Sequence, residues 1–237
     1  MKIKSTFFSL WVTLIFAALI ISSCNGQETQ VTIQKEEIPQ PISYLALGDS
    51  YTIGQGVQEA QRWPNQLVDT LRKLEYEVEN LKIIATTGWT TSNLLAAMDE
   101  EESFDYNMVS LLIGVNNQYQ KKDFALYEEE FVTLLNRSIE IAGSKDRVFV
   151  VSIPDYGVTP FGSSNSETIG KELDAYNAYA EQICLEREIP FIDITGISRT
   201  LGNSQGALAS DNLHPSGGQY FEWVKAILPD VIDILDK

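Results

Sequence analysis

Basic side chains are scarce in this sequence. Lys and Arg number 17 against 33 Asp and Glu, a net charge of −16 at pH 7. That excludes nucleic acid as a partner, because binding its phosphates needs a basic surface. Anionic lipid headgroups are repelled as well, so surface charge does not hold this chain to a membrane. Cysteine is nearly absent, with only Cys24 and Cys184. Cys24 closes a leader segment, so no internal disulfide and no cysteine metal site is expected. Cys184 lies in the helical pattern "AEQICLERE" and reads as a core residue. There is a single histidine, His214, so no histidine metal cluster and no cofactor is expected. No Gly-x-Gly-x-x-Gly opens a helix and no Walker loop is present, which removes the support for a flavin or nucleotide binder. An α/β-hydrolase of the Gly-x-Ser-x-Gly type is set aside on the reading that this pentapeptide is absent.

The one long apolar run is at the start. Lys2 and Lys4 precede Phe7 to Ile21, and Ile21-Ser22-Ser23-Cys24 ends the run. A basic start, an apolar middle and small residues form a secretory signal, 1–23. The run is short for a membrane span and has the wrong flanks. Cysteine directly after the small residues resembles a bacterial lipobox. That resemblance implies a lipid on Cys24, which becomes the new N-terminus, and attachment to a membrane of the bacterial cell envelope. An ordinary signal peptide or an uncleaved anchor are the plainer alternatives. Loss of 1–23 removes two lysines and no acid, leaving 15 basic against 33 acidic side chains. Residues 24–40 are polar and aperiodic and read as a tether, with the folded domain at 41–237.

From Pro41 onward, short apolar runs alternate with helical patterns. The runs "ISYLAL", "LKIIAT", "MVSLLIG", "RVFVVSI" and "PFIDIT" are continuous and rich in β-branched residues, as in strands covered on both faces. Leu67, Leu71 and Leu74 recur at helical spacing near 61–75, as do Phe124, Phe131, Leu134, Leu135 and Ile139 near 122–142. Residues 167–187 and 216–236 also read as helices. This alternation predicts an α/β fold, a three-layer α/β/α sandwich around a five-stranded parallel sheet of flavodoxin-like type.

Working sites of such sheets lie outside the C-terminal strand ends. There the first run ends in Gly48-Asp49-Ser50, the second is followed by Thr87-Gly88-Trp89, and the third ends in Gly114-Val115-Asn116-Asn117. Late in the chain comes Asp211-Asn212-Leu213-His214-Pro215. An aspartate three residues before a histidine can hold its Nδ1 in a tight turn and leave Nε2 free to take a serine proton. Each piece alone has a plain alternative: a turn, a helix-entry glycine, a cap, a loop residue. Together they supply a nucleophile, oxyanion donors, and a base with its orienting acid.

With these residues in place, the chain resembles the SGNH (GDSL-type) esterase and lipase family, in particular its small single-domain lysophospholipase/thioesterase-like members. The resemblance runs from about residue 42 to the last helix. It implies Ser50 as nucleophile with His214 and Asp211 completing a triad. The oxyanion hole it implies consists of the Ser50 and Gly88 amides and Asn116. "IPDYGVTPFG" and "HPSGGQYFEWVKAILP" also look like family segments. Two departures stand out: Tyr51-Thr52 where many relatives have Leu-Ser, and Asn117 where the third block usually has aspartate. That aspartate is mostly a structural partner in the family, so Asn117 puts local hydrogen bonding in question. Asp49 is expected to tie its loop. Trp63, Trp89 and Tyr119 either line a substrate cleft or pack helices on the sheet. Glu128-Glu129-Glu130 reads as a solvated helix face. The expected function is hydrolysis of a small-molecule carboxylic ester, an acyl or acetyl ester of a lipid or carbohydrate. The rival is a non-catalytic ligand-binding envelope lipoprotein on the same fold.

Overall fold

In β1 (Ile42–Gly48), four successive side chains, Tyr44 to Leu47, are fully buried. A strand buried on both faces must sit inside the sheet and be covered by helices on each side. The computed structural model describes residues 40–237. The secretory signal, Cys24 and all but the last residue of the 24–40 tether lie outside the described residues.

β1 lies between β2 (Val78–Ala85) and β3 (Met108–Leu112), and β4 (Val148–Val151) and β5 (Phe191–Ile192) extend the sheet beyond β3. The order is β2-β1-β3-β4-β5 and every pairing is parallel. This is the five-stranded α/β sheet that the apolar runs predict. β3 and β4 end two residues before their runs do, and two other bounds differ more. β2 begins earlier than "LKIIAT", and β5 is only two residues long. β5 stops because Asp193 Oδ1 accepts from the Thr195 amide at 2.7 Å, which turns the chain into a helix.

α1 (Ser50–Ile53) is a single turn after β1, and α2 (Trp63–Lys73) carries Trp63, Leu67, Val68 and Leu71 on its buried stripe. α3 (Thr91–Asp99), α4 (Val115–Tyr119) and α5 (Phe124–Ala142) follow β2 and β3. α6 (Ser166–Glu186), α7 (Thr195–Leu201) and α8 (Gly217–Leu235) complete the chain. α2, α7 and α8 pack together on one face, and α3, α5 and α6 on the other. α8 buries Tyr220, Trp223, Val224, Ile227, Val231 and Ile234 at helical spacing, each worth about 1.5–3 kcal/mol of burial. α1, α3, α4 and α7 are not anticipated by the apolar periodicity. Their apolar stripes are short, and α1 and α3 start instead at side-chain caps, Asp49 and Thr90, the latter accepting from the Asn93 amide. Cys184 is buried in α6, and burial pushes its thiol up to about 12.

The register sets up the site. Gly48 pairs with Ala85 of β2 on one side and Leu112 of β3 on the other. Three strands therefore end level. Gly48 itself must be glycine, because a Cβ there would lie 2.2 Å from Thr52 Oγ1 and 2.5 Å from the Leu112 carbonyl.

Candidate active site

The loop that follows β1 turns sharply. Asp49 caps α1, its Oδ1 accepting from the Tyr51 amide at 3.0 Å. Asp49 is fully buried, and burial raises its carboxyl to about 7 against the opposing hydrogen bond from Tyr51. This is the loop-tying role expected of it. Ser50 is thereby the first residue of α1, 5% exposed, at the edge of the sheet.

The β2–α3 loop comes beside it. Thr87 Oγ1 donates to Gln55 Oε1 at 2.7 Å, joining this loop to the one after α1. Gly88 holds φ +85°, and nothing stands within 4 Å of where a Cβ would be. The requirement for glycine there is conformational, since a side chain would be strained at that φ although there is room for it. The Gly88 carbonyl accepts from Gln120 Nε2, and the Trp89 carbonyl accepts from Asn116 Nδ2, both at 3.0 Å. A carbonyl can only accept, so the Trp89 contact fixes which end of the Asn116 side chain is the amide. One Nδ2 hydrogen is used there and the other remains available.

The next residue, Asn117, is fully buried. Its Oδ1 accepts from the Thr91 amide at 3.0 Å, and its Nδ2 donates to Thr91 Oγ1 at 2.6 Å. Thr91 Oγ1 passes its own hydrogen to Glu130 Oε2, and Ser92 Oγ donates to Glu130 Oε1 at 2.6 Å. Asparagine here is thus well accommodated: a threonine hydroxyl that already gives its proton to Glu130 needs a donor opposite. The expectation that Glu130 belongs to a purely solvated face is corrected. It anchors the first turn of α3.

The last element is the turn before α8. Asp211 Oδ1 accepts from the Leu213 and His214 amides, each at 3.0 Å, while Oδ2 lies 2.7 Å from His214 Nδ1. With a carboxylate facing Nδ1, that nitrogen carries the proton and Nε2 is left bare. Burial alone would raise the Asp211 carboxyl. The hydrogen bonds from the His214 ring, the His214 amide and the Leu213 amide outweigh it and hold the carboxyl below its ordinary range. The ring is 7% exposed and meets Tyr51 edge-on, centroids 5.6 Å apart. A strand-like bridge between Leu208 and Pro215, with Ala209 N donating to the His214 carbonyl at 2.8 Å, fixes the turn.

Ser50, Gly88, Asn116 and His214 line one cleft of about 260 Å³, with Asp211 behind the histidine. All five residues singled out in the sequence converge. Of the three aromatic candidates, only Tyr119 is on this cleft. Trp63 is fully buried at the start of α2, and Trp89 packs against the core. Tyr51, Tyr156 and Phe161 are cleft residues that the sequence reading does not place there. Tyr156 and Phe161 follow the end of β4, so the strand-end rule could have found them. The expected absence of a Gly-x-Ser-x-Gly pentapeptide is corrected: Gly202–Gly206 is such a run. It lies in the loop after α7 with Ser204 exposed, not at a strand-to-helix turn. Among the described residues, no group of three or more His, Cys, Asp or Glu is placed to hold a metal.

The GDSL-like lipase/acylhydrolase family profile matches residues 46–220. The chain belongs to that family. The GDSL hydrolase therefore acts on carboxylic esters. No curated protein matches it. Among solved structures, the hydrolase is similar to TesA at 16% identity and TM-score 0.63, over 81% of this chain and 98% of that one. It is also similar to a variant of Axe2, an acetyl xylan esterase from Geobacillus stearothermophilus. That match has 20% identity, TM-score 0.61, and covers 82% and 96% of the two chains. A lipase from a goat rumen metagenome, Lip_vut3, matches at 23% identity and TM-score 0.61, over 80% and 97%. At these identities the likeness is one of fold.

Proposed function

We propose that the chain is a serine esterase in which Ser50 is the nucleophile, His214 the base and Asp211 its orienting acid. The observation that carries this is the 2.7 Å contact of Asp211 with His214 Nδ1 on the cleft that Ser50 lines. Ser50 Oγ bonds to the ester carbon while His214 Nε2 takes its proton, and the carbonyl π pair moves onto oxygen. The amides of Ser50 and Gly88 and the free Nδ2 hydrogen of Asn116 hold that oxyanion. As it collapses, the alcohol leaves with the proton from His214. Water then adds to the acyl-serine, again giving its proton to Nε2, and the acid departs as Ser50 regains its hydrogen. The leader order from Lys2 to Cys24 supports export and lipid attachment at Cys24, placing the enzyme at the bacterial cell envelope.

The test is hydrolysis of p-nitrophenyl esters of increasing acyl length by the purified protein, beside Ser50→Ala and Asn116→Ala. The wild type should turn over, and Ser50→Ala should fall to background. Asn116→Ala should lose about 100- to 1,000-fold in kcat. Equal activity of Ser50→Ala and wild type would end the proposal. Metabolic labelling with palmitate, lost in Cys24→Ala, checks the anchor.

A further inference from the structure

Next to the cleft lies a larger groove of about 810 Å³. The two share one wall: Tyr119, Tyr156 and Phe161. Tyr119 is 54% exposed and Phe161 51%, with ring centroids 5.9 Å apart. Tyr156 meets each of them at 6.2 Å. Half-exposed aromatic rings clustered at a site's edge mark a ligand contact rather than core.

The polar side of the groove starts from the same wall. Tyr156 Oη donates to Gln118 Oε1 at 2.9 Å, and Gln118 Nε2 donates to Glu172 Oε2 at 2.6 Å. Lys121 and Lys122 line the groove, and neither pairs with a carboxylate among the described residues. Phe124 and Tyr176 add two more rings, and Ile169 and Ala175 aliphatic surface, on the apolar side. A long acyl chain laid here would cover these charged and hydrogen-bonding groups without replacing their water, which is unfavourable. A sugar ring fits both halves. Its C–H face stacks on an aromatic ring, and its hydroxyls donate and accept at the edge.

We propose that this groove is a saccharide subsite and that it holds the alcohol part of the ester. A sugar without a carboxyl group enters only as the alcohol part, which leaves the acyl part to the smaller cleft of about 260 Å³, room for a short one. The preferred substrate is then an acetyl-type ester of an oligosaccharide, not a long-chain lipid ester. This rests on Ser50 and His214 being the reaction centre.

Three substrates test it: acetylated xylotriose, p-nitrophenyl acetate and lysophosphatidylcholine. Thr168, exposed on α6 and lining only the groove, gives a filling variant, Thr168→Trp. The ratio of kcat/KM on acetylated xylotriose to that on p-nitrophenyl acetate should fall about tenfold or more, carried mainly by KM. A ratio unchanged in Thr168→Trp, or faster turnover of lysophosphatidylcholine than of the acetylated sugar, overturns the proposal. Calorimetry with unacetylated xylotriose and cellotriose reads the groove without any chemistry. Binding in about the millimolar range, lost in Thr168→Trp, supports the subsite even if p-nitrophenyl acetate is not cleaved, and that failure would count against the esterase mechanism alone. No binding of either sugar by the wild type overturns the subsite.

Discussion

Replacing Asn117 with aspartate should destabilise this protein, and the structure says by how much. In the wild type one hydrogen serves each contact: Asn117 Nδ2 gives to Thr91 Oγ1, and Thr91 Oγ1 gives to Glu130. In Asn117→Asp the donor becomes a carboxylate oxygen, facing a hydroxyl whose hydrogen is already committed. Leaving a buried acceptor unsatisfied costs about 1–3 kcal/mol. Two carboxylates sharing one hydroxyl lie at most two hydrogen-bond lengths apart, roughly 5 Å, which adds about 3 kcal/mol of repulsion at an effective dielectric of 20. The charge strengthens the bond from the Thr91 amide and offsets about 1 kcal/mol of this. The net loss is about 3–5 kcal/mol, a fall in Tm of about 6–20 °C for a domain this size. Glu130→Gln in the same background should recover most of it. Thr91 can then donate to the carboxylate introduced at position 117, while the amide introduced at position 130 donates to Thr91. Thermal melts of the four proteins at pH 7 form a double-mutant cycle, with coupling of about 2 kcal/mol or more expected. A melting point of Asn117→Asp within a degree of wild type, or no recovery by Glu130→Gln, would refute the relay.

Two further outcomes follow from the loop after β1. Unfolded, the Asp49 carboxyl ionises near 4, but folded it keeps its proton up to about 7. The folded state binds the extra proton between those values, so stability is greatest below them and declines as pH rises through the interval. Asp49→Asn keeps the acceptor for the Tyr51 amide and should flatten that decline. Melts of both proteins at pH 5 and pH 8 check it, and parallel curves would contradict it. Gly48→Ala drives a methyl against Thr52 and the Leu112 backbone, so urea unfolding should show a loss of about 3 kcal/mol. An unchanged midpoint would mean the strand ends are looser than described.

The sheet is legible in the sequence because its covered strands leave short apolar runs rich in β-branched residues. Strand ends are legible for the same reason, and with them Ser50, Gly88 and Asn116. Asp211 and His214 declare themselves because their contact is local, three residues apart. What escapes is carried by contacts between distant segments. Nothing near Glu130 signals that it holds Thr91, which lies 39 residues away. Tyr156 and Phe161 sit in a loop whose path is set by Asp155, which caps one turn and pairs with Arg199 at 2.9 Å. Trp63 and Trp89 show the converse. An aromatic near a site in sequence carries no information about which way it faces.

The direction of the strands has a practical consequence. Pro41, just ahead of β1, accepts a hydrogen bond from Asn107 just ahead of β3. Asp236, at the far end of α8, accepts one from Tyr76 just ahead of β2. Both ends of the described chain therefore leave from one pole, where the strands begin, and the cleft opens at the other. β1 alone spans seven residues, about 23 Å at the usual rise. A linker, tag or support joined at either end hangs from the back of the molecule. Held by the ends of the described chain, residues 40 and 237, the enzyme keeps its mouth turned outward toward bulky material in the surrounding medium.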